Sequence, residues 1–134
     1  MASNIVIDTS ALLAVLLDEP EKEAIVEKTM GTILGAPASL CWEVGNAATA
    51  GVKRRRLTEE RARQLMADFE SVTIRELTID SKRAVDLGLE LGIYAYDAYI
   101  LEAARASGFP LLALDVPIQR NARKLGLSLV ELDL

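Results

Sequence analysis

The sequence predicts an α/β sandwich around a central, mainly parallel sheet, and three observations predict it. Short apolar runs alternate with segments of helical periodicity along the chain. Two of those runs, Asn4 to Ile7 and Leu111 to Leu114, lack the polar alternation of a half-exposed strand and read as strands buried on both faces. No repeat, low-complexity stretch or linker interrupts the 134 residues, so 1–134 is expected to be one domain.

Asn4 to Ile7 makes the first strand, and Thr9 or Ser10 caps a helix from Ala11 to Leu17. Asp8 then lies at the strand's carboxyl end. Pro20 opens a second helix that carries Glu21 and Glu23 in its first turn and fades toward Met30 and Gly31. Thr32 to Ala36 is a weak strand. Pro37 and Ser39 introduce a long helix from about Leu40, with Leu40, Val44, Ala47 and Ala48 on one face and Glu43 in its first turn or just beyond. Thr58 caps the next helix alone, because Arg61 stands where a capping box would place an acid.

Val72 to Leu77 reads as a strand. Asp80 or Ser81 starts a helix that ends near Gly92, and Asp97 opens another, stopped by Gly108 and Pro110. Leu111 to Leu114 runs into Asp115, Pro117 begins a helix to Leu125, Gly126 terminates it, and Leu127 to Leu132 forms a closing strand.

Composition narrows the chemistry. There is no histidine and one cysteine, so the common zinc sites are excluded. Cys41 beside Trp42 reads as a small buried hydrophobe rather than a nucleophile, since no imidazole is present to activate it. A hydrophobic content of 51% without any apolar run of about 18 residues argues against a membrane span and for apolar surface buried in self-association. Met1 to Asn4 enters the first strand without a basic, then apolar, leader, and the cytoplasm is the expected compartment.

What remains is carboxylate. Asp8, Glu43, Asp97 and Asp115 each stand at a strand-to-helix junction or an early helical turn. Singly, each has an ordinary role as a cap, a turn residue or a dipole partner. Ligands in a parallel sheet bind at the strands' carboxyl ends, and there these acids would converge. Two like charges about 5 Å apart repel by about 3 kcal/mol even at an effective dielectric near 20, so convergence demands a cation or raised pKa values. Hard oxygen donors suit Mg²⁺ or Mn²⁺, and the chemistry such a site serves best is phosphodiester cleavage.

The net charge of −5 is unevenly spread. Lys53, Arg54, Arg55 and Arg56 form a run that can be a solvated helix end or a contact for an RNA backbone, and Arg120, Arg123 and Lys124 form a second group. Tyr94, Tyr96 and Tyr99 around Asp97, and Trp42 beside Glu43, invite base stacking, although aromatics at such places more often serve the core or a protein contact. An aspartyl-nucleophile phosphatase would want a second acid where Ser10 stands, and a receiver module would want paired acids after the first strand; neither pattern is present.

Taken in order, Ile5-Val-Ile-Asp8-Thr-Ser10-Ala-Leu, Pro37-Ala-Ser-Leu-Cys-Trp-Glu43-Val-Gly-Asn-Ala47, Tyr96-Asp97-Ala-Tyr-Ile-Leu-Glu-Ala-Ala104, and Leu111-Leu-Ala-Leu-Asp115 followed by Asn121-Ala-Arg-Lys-Leu-Gly126 resemble the motifs of the PIN domain, and in length the chain is most similar to VapC-type toxins. The resemblance implies an α/β/α sandwich and a Mg²⁺- or Mn²⁺-dependent endoribonuclease of a toxin-antitoxin pair. It further implies a homodimer held inactive by a small antitoxin. It puts Asp8, Glu43, Asp97 and Asp115 at the family's acidic positions and Ser10 at its supporting hydroxyl, while Ala113 stands where relatives often carry Thr or Ser. The alternative is a catalytically weak PIN fold that binds RNA or protein.

Overall fold

The computed structural model describes residues 3–134. Along the chain run β1 (Asn4–Ile7), α1 (Thr9–Leu16), α2 (Lys22–Thr29), β2 (Ile33–Ala36), α3 (Ser39–Lys53), α4 (Glu59–Ser71), β3 (Arg75–Glu76), α5 (Ser81–Leu91), α6 (Ala95–Ser107), β4 (Leu111–Leu112) and α7 (Val116–Lys124). The strands form one parallel sheet in the order β3-β2-β1-β4.

β1 explains why its residues are apolar throughout. Ile5 and Ile7 point to a core made with α1, α2, α3 and α4, while Val6 points to a second core made with α5, α6 and α7. A strand with helices on both faces has no solvent side on which polar residues would be stable. The result is the three-layer α/β/α sandwich read from the sequence.

The winding fixes where a site can form. From β1 the chain steps outward to β2 and β3 with its helices on one face, then returns through α5 and α6 on the other face to place β4 against the free edge of β1. Loops leaving β1 and β4 therefore depart to opposite faces and open a crevice at the strands' carboxyl ends. Asp8 and Asp115 are carried by those two loops.

Several boundaries differ from expectation for identifiable reasons. Helix α1 begins at Thr9, not Ala11, because Asp8 itself is the cap: its carboxylate accepts from the Ser10 amide at 3.2 Å. Ser39 lies within α3 without capping it, and its hydroxyl is buried with no partner. Asp97 does not open α6, which starts at Ala95 behind an N-cap Tyr94 that makes no side-chain bond; Asp97 sits in the first turn, where the helix dipole favours a negative charge. Cys41 is exposed, on the outer side of α3, so the reading of it as a buried hydrophobe is corrected.

The expected strand Val72 to Leu77 shrinks to Arg75–Glu76, an exposed edge that meets β2 only at Gly35 and Ala36. The closing strand Leu127 to Leu132 is reduced to a single parallel bridge between Leu111 and Leu129. Leu111 accepts from Val130 and donates to Ser128, both at 2.9 Å, but the next outward-facing carbonyl, that of Ala113, is taken by Gln119 Nε2 at 2.6 Å. With that acceptor occupied the ladder stops.

Helix α4 is held by one buried side chain, Leu65, and by Arg61, whose guanidinium donates to the Leu16 carbonyl at 2.6 Å. Leu65→Ala is expected to lower stability by about 2–5 kcal/mol in urea denaturation. A loss below about 1 kcal/mol would show that α4 does not pack on this core.

Candidate functional site

Asp8 is the most deeply placed acid, only 3% exposed. Its Oδ2 accepts the Ser10 hydroxyl at 2.6 Å as well as the Ser10 amide. The same hydroxyl oxygen accepts the amides of Leu114 at 2.9 Å and Asp115 at 3.2 Å. One serine thus ties the loop after β1 to the loop after β4. Asp115 in turn caps α7 by accepting from the Ile118 amide at 3.0 Å.

The four acids feel one another. Burial pushes the Asp8 carboxyl above the ordinary aspartate range, the Ser10 hydrogen bonds oppose the rise, and the charge of Asp115 adds to it. Glu43 is pushed up to about 7, first by burial and then by the charges of Asp8 and Asp97, with the neighbouring Thr9 hydroxyl opposing. Asp97 is raised by burial, then by Asp115 and Asp8. Charges carried at the ends or early turns of α1, α3, α6 and α7 therefore act on three of these carboxyls.

Their oxygens are not drawn into a closed cage. Among the described residues, no three acidic or sulfur side chains are grouped as ligands of one ion. The donor set is nonetheless hard and anionic, and Mg²⁺ keeps several waters while taking only one or two carboxylates directly. Such an ion fits a set of raised carboxylates spaced widely enough to admit water.

Beside the acids lies a cleft of ≈ 590 Å³ lined by Thr9, Trp42, Glu43, Asn46, Ala47, Ala50, Arg54 and Tyr96. It joins both helical layers, since Trp42, Asn46 and Arg54 follow α3 and Tyr96 belongs to α6. Trp42 and Tyr96 are 63% and 52% exposed, so neither serves the core, and a protein contact or base stacking is left to them. Asn46 and Thr9 were not singled out from sequence; the available signal was the spacing of Asn46 three residues after Glu43, which puts both on one helical face.

The basic run divides. Arg54, an exposed residue at the end of α3, lines the cleft and also an adjoining groove that it shares with Arg56, Leu17, Glu19 and Arg61; Lys53 borders the space between α3 and α4. Arg55 takes a left-handed φ of 58° and stands in solvent. Arg123 and Lys124 occupy the last turn of α7, where cations complement the dipole.

With this geometry in hand, comparison with known proteins is informative. The family model described as PIN domain matches residues 5–124. The fold is similar to that of PAE2754 from Pyrobaculum aerophilum, with a TM-score of 0.69 and 21% identity over 90% of this chain and 81% of that one. It is also similar to VapBC2 from Rickettsia felis, described as bound to a DNA fragment from their promoter, with a TM-score of 0.69 and 14% identity over 97% of this chain and 99% of that one. No curated protein matches the sequence significantly.

Two outcomes follow from the site. Ser10→Ala removes the donor to Asp8 and strands two amides, and it is expected to cost about 1–3 kcal/mol in thermal or urea unfolding; an unchanged Tm would mean the two loops are held by something else. Because the folded Glu43 pKa of about 7 lies above its ordinary 4.5, the folded state binds the extra proton between those values. Stability from this group is present at low pH and is lost as pH rises toward 7. Tm at fixed ionic strength should fall more between pH 5 and 8 in the native protein than in Glu43→Gln; equal slopes would refute the raised pKa.

Proposed function

The chain belongs to the PIN domain family, and from that membership and its acidic crevice we propose that it is a Mg²⁺- or Mn²⁺-dependent endoribonuclease, the toxin of a toxin-antitoxin pair. The observation that carries the reading is that Asp8, Glu43 and Asp97, from separate elements, each have a carboxyl raised first by burial and further by the charge of another of these acids or of Asp115. Carboxyls perturbed in this way gather at functional sites, which supports the reading.

In this reading Asp8 and Asp97 hold one or two divalent ions, and Asp115 and Glu43 complete the set directly or through water. A bound ion supplies a more acidic water and neutralises charge on the scissile phosphate. The side chains do the rest. Ser10 fixes the Asp8 carboxylate and keeps the two loops in register. Glu43 lines the same cleft as Arg54 and Tyr96, next to where the ions would sit. Arg54 counters the negative field where the RNA backbone would enter.

The fold shared end to end with VapBC2 supports a small antitoxin as partner. Exposed Val85, Leu89 and Tyr94 on and just after α5 support a homodimer. Among the described residues no helix is long and apolar enough to cross a membrane; the site of action in this reading is the cytoplasm. The second reading, a catalytically weak module that binds RNA or protein, is favoured by one observation: among the described residues no three acidic side chains group as ligands of one ion.

Cleavage assays separate the two. Single-stranded RNA should be cut with Mg²⁺ or Mn²⁺ and not with EDTA. Since changes to groups that merely orient metal ligands lower activity 10–100-fold, Asp8→Asn should lower it by at least roughly 100-fold. Calorimetry should show weaker ion binding by Asp97→Asn than by the native chain. Native-like cleavage and ion binding in these variants would remove the acids from the mechanism.

A further inference from the structure

The cleft beside the acids has a composition that neither a metal site nor a core requires. At its mouth stand Trp42 and Tyr96, two exposed aromatic side chains contributed by opposite layers of the sandwich. Between and beneath them are the amide of Asn46, the hydroxyl of Thr9 and the carboxyl of Glu43, and Arg54 supplies a cation at the same cleft. Tyr96 is braced by Tyr99, ring edge to face, with centroids 5.8 Å apart and planes at 89°. Its ring is therefore held in place before any ligand arrives.

Resting on the ribonuclease reading and refining its substrate, we propose that this cleft is a nucleotide subsite: one unpaired base of the RNA stacks on Trp42 and Tyr96, and Arg54, about 18 Å farther along α3 than Trp42, takes a phosphate a few nucleotides along the same strand. Aromatic faces can receive a base only when that base is out of a duplex. Asn46 presents both a donor and an acceptor to a base edge, whichever base is present. Glu43 lines the same cleft, so a nucleotide seated there puts its backbone at the edge of the acidic crevice. A protein helix would find a more suitable seat in the groove between α3 and α4, which Ala48, Val52, Ala62 and Met66 line.

Trp42 is the only tryptophan, so its fluorescence reports on this cleft alone. The experiment titrates the full chain, in EDTA so that no RNA is cut, with a uridine dodecamer and with a blunt RNA duplex of the same length. Saturable quenching by the dodecamer, and weaker quenching by the duplex, is expected. In anisotropy assays with the labelled dodecamer, Trp42→Ala and Tyr96→Leu should each weaken binding roughly 5- to 150-fold. Trp42→Phe should largely restore it. Arg54→Gln should reduce the slope of log affinity against log salt by about 0.7, the share of one phosphate on a single strand.

Quenching by the duplex equal to that by the dodecamer, no quenching although anisotropy shows binding, or unchanged affinity in Trp42→Ala would each overturn the subsite. Failure of the underlying reading has a different signature. Cleavage in Mg²⁺ by Trp42→Ala at the native kcat/KM removes the subsite and leaves the nuclease, whereas quenching without cleavage in Mg²⁺ or Mn²⁺ keeps the subsite and removes the nuclease.

Discussion

The burial of carboxylates near one another is the constraint around which this molecule is arranged. Asp8, Glu43, Asp97 and Asp115 come from elements far apart in sequence, and burial, with the charges of neighbouring acids added to it, raises three of their pKa values. Each is held by something stronger than its aversion to the others. Asp8 and Asp115 cap helices and so receive amide hydrogen bonds, and Asp97 lies in a first helical turn where the dipole offsets part of the repulsion. Glu43 has the weakest such support, lying beyond the first turn of α3, and its carboxyl is driven to about 7.

The Ser10 hydroxyl shows how little polar structure suffices to hold the crevice. It donates once, to Asp8, and accepts twice, from Leu114 and Asp115, so that its full hydrogen-bonding capacity spans the gap between β1 and β4. Those bonds also explain why β4 is short. The amide that would have continued the ladder at Leu114 is given to the serine, and the carbonyl of Ala113 is given to Gln119. Secondary structure is surrendered at the sheet's edge where the loops must be tied together. A hydroxyl at position 113 is not needed for that tie, since the serine already reaches both loops.

Much of this was legible in the sequence because it followed from local rules. The apolar runs of β1 and β4 announced a sheet covered on both faces, Gly92, Gly108 and Gly126 sat where left-handed C-caps end helices, and the acids stood at the ends those elements define. What was not legible depended on competition between groups distant in sequence. Nothing near Leu127 reveals that Gln119 will occupy the carbonyl on which a closing strand depends. Nor does the run Lys53 to Arg56 reveal that Arg55 turns left-handed and stands in solvent while Arg54 and Arg56 line one groove. Trp42 and Tyr96 were ambiguous for the same reason: exposure is settled by which helices lie opposite, and here none covers them.

The division of the basic run bears on how a chain of net charge −5 can approach a polyanion. A continuous cationic face would bind nucleic acid anywhere along it. In this molecule Arg54 lines the cleft together with Glu43 and also lines an adjoining groove with Arg56 and Arg61, while Lys53 borders the space between α3 and α4. An attraction confined to a few ångströms is effective only after the ligand is seated, because at physiological salt charges beyond about 8 Å are largely screened. Capture at a distance is therefore weak, and binding rests on contacts that only a correctly placed strand can make: stacking on exposed rings, one phosphate at Arg54, and neutralisation of the carboxylates by divalent ions. On the proposed reading, the same acidity that organises the site also rejects nucleic acid that arrives without an ion or with its bases paired.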